Sequence, residues 1–325
     1  EADRDSINRL GHGNAIPQGF NHTILPLDKE ENARLQIAWG IEDFQYHFNR
    51  DPEGMWLPEC AVNETVIDLL SQAGIKFIIL SPWQCNAVEN EEGKIIELGS
   101  NPAPYREPYI LTGKRGGEIT AFFYEPSLAS GISFGHYLRN ADSLYSTLLD
   151  IKNRDKSPII HTATDGEIYG HHEPYGDMAL AALIKKVNDG DDFIFDNYGS
   201  YMAKHPATKH AVLRKGEEGK GTSWSCSHGV SRWYKDCGCH TGGDEGWNQK
   251  WRTGLRNALN NLGDKIDAIF SREIDIIFKG QLSSQDLLIE AGNVFCGKVD
   301  MKRFISSLSD KYGISHNDSE KLAHL

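Results

Sequence analysis

Two acidic residues of this chain each follow a short apolar segment, and acids in that position are candidates for chemistry. Glu59 comes after "GMWLP" and Asp165 comes after "IIHTAT". We expect both segments to be parallel strands, and sites in parallel α/β folds form at the carboxyl ends of strands. Two carboxylates that face one cleft can act as nucleophile and general acid, the chemistry of glycoside hydrolysis. The alternative is that each of these two acids caps a helix or a turn and has no catalytic role.

The segment that follows Asp165 also contains possible metal ligands. Together with His171 and His172, Asp165 would be a workable set for Zn²⁺ or Fe²⁺, as in a metal-dependent hydrolase such as a polysaccharide deacetylase. Adjacent histidines rarely reach one ion unless the backbone is irregular, and deacetylase-like sites separate them by several residues. We therefore expect no metal here and interpret the histidines as surroundings of Asp165.

A strand–helix–strand pattern surrounds Glu59. The strand before Glu59 is followed by a helix that Asn63 caps and Gly74 ends. The next segment, "IKFIILSP", is a continuous apolar run of strand length, typical of a sheet covered on both faces. This pattern predicts a βαβ unit in an α/β fold.

Further elements follow from apolar periodicity and turn residues. Helices are predicted over residues 28–48, over Phe134 to Ile151 and from about Tyr175 to Val187. Strands are predicted for "EITAFFYEP", for the segment that leads to Asp165, and for "DDFIF".

After Lys220 the composition changes to a segment rich in Trp, Cys, His and Gly. It precedes a long helix with apolar residues at spacings of three or four, and everything beyond about residue 245 is predicted to be helical. These residues are Trp247, Trp251, Leu255, Leu259, Leu262, Ile266 and Ile269.

We therefore divide the chain into a catalytic α/β region over residues 1–220 and a cleft loop with a helical region over residues 221–325.

The Trp-rich segment contains a cluster of soft ligands: Cys226, His228, Cys237, Cys239 and His240. They would suffice for zinc, but their spacing fits no standard finger or knuckle. Buried free thiols and one disulfide are the alternatives. We predict no metal site and no other cofactor for this chain.

Bulk composition narrows the class of protein and of partner. Asp and Glu number 46 against 34 Lys and Arg, a net charge of −12, which disfavours nucleic acid and anionic membranes. No apolar run approaches the roughly 20 residues that span a bilayer. Six cysteines are few for 325 residues, so we expect a reduced, cytoplasmic setting, although the chain begins at Glu1 and not at Met. The oligomeric state is not indicated.

Four segments, in this order, resemble motifs of glycoside hydrolase family 57. They are "GHGNAIPQGFNHTILPL", "GMWLPEC", "TATDGEIYGHH" and "TSWSCSHGVSRWYKDCGC". The first three are similar to the second, third and fourth motifs of the family, and the last lies where the fifth would be. The resemblance spans residues 8 to 270 and is closest to an α-amylase/α-mannosidase-like subgroup with an additional C-terminal domain of unknown function.

The resemblance implies a fold and a reaction. The fold would be an incomplete (β/α)7-type barrel with parallel strands, followed by a helical C-terminal region. The reaction would be hydrolysis or transfer of α-linked glucan, with Glu59 as nucleophile and Asp165 as general acid/base. Retention requires the two carboxyl groups to lie about 5–5.5 Å apart. We expect burial or the neighbouring Glu167 to raise the pKa of Asp165.

The resemblance also suggests substrate-binding residues, because sugars hydrogen-bond polar groups and stack on aromatic rings. The polar ones are His12, Asn14, His22, Glu167, His171 and His172. The aromatic ones are Trp56, Trp83, Trp224 and Trp233, of which Trp56 is equally suited to the core. The expected partner is an oligo- or polysaccharide.

One family motif does not occur in this chain. The first motif, His-x-x-Gln-Pro at the end of the first strand, is absent from the sequence. We expect the strand that would carry it to lie upstream of Glu1. A catalytically inactive carbohydrate-binding protein is therefore a further alternative, against which the presence of both Glu59 and Asp165 counts.

Overall fold

The structure, a computed structural model, describes residues 1–239 and 242–325. His240, the last member of the soft-ligand cluster, lies outside the described residues. The α-helices are α1 (Ala2–Leu10), α2 (Glu30–Phe48), α3 (Glu64–Gln72), α4 (Pro126–Phe134), α5 (Ala141–Asp155), α6 (Gly176–Asp189), α7 (Tyr198–Lys204), α8 (Trp251–Phe278), α9 (Ser284–Phe295), α10 (Met301–Tyr312) and α11 (His316–Leu322). The strands are β1 (Gly54–Met55), β2 (Phe77–Leu80), β3 (Cys85–Glu89), β4 (Ile95–Glu97), β5 (Tyr109–Thr112), β6 (Glu118–Phe123) and β7 (Lys209–Leu213).

The chain folds into two compact units. Unit 1 comprises Glu1–Ala15 and Ile75–Arg214, and unit 2 comprises Ile16–Gly74 and Lys215–Leu325. The units are interleaved along the sequence, whereas the predicted division cuts the chain once, after residue 220. That division into functional regions stays a prediction.

Unit 1 contains a mixed sheet with the strand order β2–β6–β5–β7–β3–β4. The pairs β2–β6 and β5–β7 are parallel, and the pairs β5–β6, β3–β7 and β3–β4 are antiparallel. All four residues of β2 are buried, as the continuous apolar run predicts. Phe122 and Phe123 of β6 are fully buried as well, so the centre of this sheet is covered on both faces.

The helix predicted over Phe134 to Ile151 is in fact the end of one helix and the start of another. α4 ends at Phe134, and Asn140 then caps α5 by accepting hydrogen bonds from the backbone N–H groups of Asp142 and Ser143. Between them His136 adopts a left-handed backbone with φ of 58°. The prediction was wrong here because apolar spacing continues across the break, while the cap ends it.

Two predicted strands are absent from the described residues. The segment before Asp165 is assigned to no strand, although the Glu125 N–H, just after β6, donates to the His161 carbonyl at 2.9 Å. "DDFIF" is also irregular, and its Ile194 is 89% exposed. Both apolar runs suggested strands because periodicity alone does not report whether a partner strand is available.

Unit 2 contains the predicted helices around β1. Asn63 caps α3 by accepting a hydrogen bond from the Val66 N–H at 2.9 Å, and Gly74 follows with φ of 80°. α2 packs on α9, where the Trp39 indole N–H donates to the Leu288 carbonyl at 2.8 Å. A Cβ on Gly292 would lie 2.6 Å from the Trp39 ring, so glycine allows this close approach.

The helical end of unit 2 has its own hydrophobic core. It consists of Ile274, Ile277, Phe278, Leu282, Leu287, Leu308 and Leu322. No strand lies beyond residue 245 in the described chain, as predicted. The seven apolar residues of the predicted stripe from Trp247 to Ile269 are each at least half exposed, so the stripe is not part of that core; α8 begins at Trp251, after Trp247. No helix among the described residues is both long and apolar enough to cross a bilayer.

The contrast along α8 gives a test of the fold with a matched pair of residues. Ile274 is fully buried and Ile266 is 54% exposed. We expect Ile274→Ala to lower the free energy of unfolding by about 2–5 kcal/mol, since it leaves a cavity. Ile266→Ala should change it by less than about 0.5 kcal/mol. Urea unfolding followed by circular dichroism measures both, and equal effects would contradict this placement of the core.

Candidate active site

Glu59 lies in a strained turn directly after β1. The 3₁₀ turn Pro58–Cys60 holds Glu59 in the left-handed region at φ of 58° and ψ of 19°. Leu57, Pro58 and Cys60 are buried, while Glu59 is half-buried, so the turn brings one carboxylate towards the surface between apolar neighbours. Left-handed non-glycine residues of this kind cluster at functional sites.

The Glu59 carboxylate is held by the Trp-rich segment. The Trp224 indole N–H donates to Glu59 Oε2 at 3.0 Å, and the Ser225 hydroxyl donates to the same oxygen at 2.7 Å. The Trp224 backbone N–H also donates to the Glu59 carbonyl at 3.0 Å. Among the described residues, the other carboxylate oxygen, Oε1, accepts no hydrogen bond.

This arrangement suits a nucleophilic carboxylate. Two donors on one oxygen fix the orientation of the group, and both require that oxygen to act as an acceptor. Oε1 is then the atom that can attack a carbon or stabilise developing positive charge. Ser225 was not among the predicted site residues, because its role depends on a contact with a residue far away in sequence.

Two of the predicted aromatic residues are linked to Glu59, since Trp224 donates to its carboxylate and Trp56 packs against Trp224. The Trp56 and Trp224 rings meet edge to face, with centroids 5.1 Å apart and both side chains half-buried. Trp233 has a different environment, because it packs against the small core of Ile24, Ala61 and Val230. The structure therefore brings together Glu59, Trp56 and Trp224, and it gives Trp233 a packing role.

Asp165 begins a short turn in unit 1. It is exposed, so burial, one of the two environments expected for it, is not found. It precedes the 3₁₀ turn Gly166–Ile168, but its side chain does not cap that turn. A 3.0 Å hydrogen bond between the hydroxyls of Thr164 and Tyr169 spans the same turn. The simple capping explanation for Asp165 therefore fails.

Glu167, His171 and His172 are exposed as well. The Glu167 carbonyl accepts the backbone N–H groups of both histidines, and the two imidazole rings lie edge to face at 4.8 Å. In the part of the chain that the structure describes, Asp165 and these histidines do not form a group with metal-binding geometry. This observation weakens the metal-dependent deacetylase alternative.

The buried acid of this segment is Glu173, which sequence reasoning did not single out. Arg139 Nε donates to Glu173 Oε1 at 2.8 Å, and His136 Nδ1 contacts Oε2. The hydrogen bond from Arg139, followed by that from His136, holds the pKa of Glu173 below its usual range. Glu173 thus anchors the end of the loop that carries Asp165, which is a structural role, and its two basic partners are more than half exposed.

His161, four residues before Asp165, is a half-buried neutral histidine. Burial lowers the pKa of His161 to about 4, and its Nδ1 lies 3.1 Å from the Tyr198 hydroxyl. Both residues line an open cavity of about 630 Å³ in unit 1, which Asn14 also lines. Asn14 is the one predicted sugar-binding residue in this cavity.

The remaining predicted residues have separate environments. The His12 carbonyl accepts hydrogen bonds from Ser6 Oγ at 3.0 Å and Asn197 Nδ2 at 2.9 Å in unit 1. His22 belongs to unit 2, is exposed and has φ of 54°. Trp83 is 51% exposed in unit 1, where its carbonyl accepts a hydrogen bond from Arg214 at 2.9 Å. The exposed face of Trp83 suits stacking against a sugar.

Comparison with protein-family models gives two matches. Glycosyl hydrolase family 57 matches residues 5–210, and a domain of unknown function, DUF3536, matches residues 247–313. The 1,4-alpha-glucan branching enzyme of Thermococcus kodakarensis is 42% identical over 52 residues, which are 16% of this chain and 8% of the relative. An alpha-amylase of Pyrococcus abyssi is 22% identical over 205 residues, 61% of this chain and 29% of the relative. The chain spans less than a third of either relative.

Two solved structures are similar over almost the whole chain. A family 57 branching enzyme from Thermococcus kodakaraensis has a TM-score of 0.61 at 15% identity, covering 98% of this chain and 71% of that one. An exo-type maltose-forming amylase from Pyrococcus sp. ST04 has a TM-score of 0.68 at 12% identity, covering 98% and 57%. At these identities the likeness concerns the fold. It confirms the incomplete (β/α)7-type barrel class with a helical C-terminal region.

The left-handed backbone at Glu59 can be tested by comparing glycine with alanine. Both substitutions remove the carboxylate and its hydrogen bonds, so their difference reports the backbone. We expect Glu59→Gly to be about 1 kcal/mol more stable than Glu59→Ala, because alanine is strained at positive φ. At Asn261, an exposed position inside α8, the order should reverse by about 0.5–1 kcal/mol. Urea unfolding measures both pairs, and the same order at the two positions would refute the strain.

Proposed function

Since the chain belongs to glycosyl hydrolase family 57, we propose that it breaks α-glycosidic bonds with retention of anomeric configuration. The observation that carries the proposal is the Glu59 carboxylate, which has one oxygen held by Trp224 and Ser225 while the other accepts no hydrogen bond within the described chain. The family and the additional C-terminal domain, both expected from the motifs, are confirmed.

We propose α-linked glucan as the substrate class. Two of the relatives are a 1,4-alpha-glucan branching enzyme and an alpha-amylase. The net charge of −12 agrees with a neutral polymer as the partner. That the chain binds no nucleic acid, and that it is cytoplasmic, stay predictions from composition.

The proposed reaction has two displacements. Glu59 Oε1 attacks the anomeric carbon while Asp165 gives its proton to the leaving glycosidic oxygen, and a covalent glycosyl–Glu59 ester forms. Asp165, now a carboxylate, then removes a proton from water or from a sugar hydroxyl, whose oxygen attacks the same carbon and releases Glu59. Two inversions at the anomeric carbon give net retention of configuration. The reaction is hydrolysis when the acceptor is water and transfer when the acceptor is a sugar hydroxyl.

The proposed sugar contacts follow the environments of the predicted residues. Trp224 donates to Glu59 and packs against Trp56, so these two rings are the proposed platform next to the bond that breaks. Exposed Trp83 is a platform in unit 1, and Asn14 and His12 are polar contacts there. We propose further polar contacts from exposed side chains and keep Trp233 as a weaker aromatic one. The further polar contacts are His22, Glu167, His171 and His172.

Substitution of each proposed catalytic carboxyl by its amide tests the reaction. We expect Glu59→Gln and Asp165→Asn each to lower kcat on soluble α-glucan by about 100-fold or more, because neither amide can attack or transfer a proton. Glu118→Gln, at an exposed acid of β6, is the matched control and should retain full activity. Product length and linkage are read by chromatography.

Azide separates the two roles. In Glu59→Gly, azide can fill the vacated space and attack from that side, giving a glycosyl azide of inverted configuration. In Asp165→Gly, azide attacks the covalent intermediate and gives the retained product. Full activity in both amide variants would reject the proposal, and binding of α-glucan without any turnover by the unmodified chain would favour the carbohydrate-binding alternative.

The hydrogen bond from Ser225 gives a finer test. Removing a donor to a charged oxygen costs about 1.5–3 kcal/mol, so Ser225→Ala should lower kcat/KM by roughly 10- to 100-fold. Ser227→Ala, two residues along the same segment and also exposed, is the control. An unchanged kcat/KM for Ser225→Ala would show that this contact does not orient Glu59 during turnover.

A further inference from the structure

Four soft ligands from the Trp-rich segment converge at one point in unit 2. They are Cys226, His228, Cys237 and Cys239, whose ligand atoms all lie within 4.8 Å of one another. Cys226 Sγ lies 3.9 Å from Cys237 Sγ and 3.8 Å from Cys239 Sγ. His228 Nδ1 lies 3.7 Å from Cys226 Sγ and 3.3 Å from Cys239 Sγ.

These separations match the edges of a tetrahedron around zinc. Zn–S bonds of about 2.3 Å and Zn–N bonds of about 2.0–2.1 Å place two sulfur ligands about 3.8 Å apart, and sulfur and nitrogen about 3.6 Å apart. A disulfide would need about 2.05 Å between sulfurs. None of the six cysteines, all of which the structure describes, forms a disulfide, so the disulfide alternative does not describe this cluster.

The backbone explains how an unusual spacing forms the cluster. In extended chain, Cys237 and Cys239 would share a face but stand too far apart to meet one ion. Gly238 between them has φ of 80°, and its N–H donates to Asp236 Oδ1 at 3.3 Å, so the chain folds into a tight turn. On the other side of the cluster, the Gly229 N–H donates to the Cys226 carbonyl at 3.0 Å and closes the turn that holds His228.

We propose that Cys226, His228, Cys237 and Cys239 bind one structural Zn²⁺. Three thiolates and one imidazole are the ligand types of structural zinc sites, and four protein ligands leave no open position for catalysis. Binding displaces three thiol protons while the histidine stays neutral, so the ion and its ligands carry a net charge of −1. This differs from the expectation of no metal, which rested on the spacing of the ligands in sequence.

The ion would fix the segment that orients Glu59. Cys226 directly follows Ser225, and the Ser225 carbonyl accepts a hydrogen bond from Arg232 Nη1 at 2.9 Å inside the loop that the four ligands close. The site would therefore act as a positioning device for Trp224 and Ser225. Its existence does not depend on the proposed reaction, since metal content is measured without a substrate.

Metal analysis of the full chain tests the site directly. Protein produced with zinc and kept reduced should contain about one zinc per chain after exhaustive dialysis. Zinc K-edge X-ray absorption should give three sulfur ligands and one nitrogen. Replacement by Co²⁺ should produce sulfur-to-metal charge-transfer absorption in the near ultraviolet.

Cysteine variants locate the ion. We expect Cys237→Ser to lower zinc content or affinity by about tenfold or more. Cys296→Ser, at a buried thiol of unit 2 outside the cluster, should leave zinc content unchanged. Unmodified chain without zinc, a shell of oxygen and nitrogen only, a disulfide within the cluster, or full zinc retention in Cys237→Ser would each overturn the proposal. If Cys237→Ser fails to fold, the zinc K-edge X-ray absorption spectrum of the unmodified chain tests the proposal by itself.

Discussion

The carboxylate of Glu59 and its two donors form the contact on which the site of unit 2 depends. Trp224 Nε1 and Glu59 Oε2 belong to residues 165 positions apart, so the contact exists only once the chain has folded. Val62 and Thr222 pair beside it in an isolated antiparallel bridge. These main-chain hydrogen bonds hold two irregular segments together. The hydrogen bonds to Oε2 then orient the Glu59 carboxylate between them. A strained φ at Glu59 persists because so many contacts determine it.

Local signals made much of the fold predictable. The cap at Asn63, the glycine at residue 74 and the buried run of β2 are each readable from a few neighbouring residues, and each is found where predicted. The acids Glu59 and Asp165 stood out for a related reason, since both follow an apolar run. The segment before Asp165 nevertheless forms no strand, because strand pairing depends on a partner that the run itself does not specify.

Long-range geometry explains what could not be predicted. Ser225 resembles any polar loop residue until its hydroxyl is seen on Glu59 Oε2. Glu173 looked like one more acid in an acidic loop, yet Arg139 and His136 hold it as the buried anchor of that loop. The ligand spacing around Gly238 resembled no known motif, since a glycine with positive φ changes where its neighbours point.

α8 combines two kinds of stabilisation in one continuous helix. Its last residues, including Ile274 and Phe278, belong to a hydrophobic core, whereas Lys29 is paired with Asp264 and Asp267 at 2.6 Å further back along the helix. Dissolved salt screens exposed ion pairs but not apolar burial. Rising ionic strength therefore loosens the attachment of the middle turns of α8 to Lys29 and leaves the end of the helix firmly held. One helix thus contains a salt-sensitive part and a salt-insensitive part.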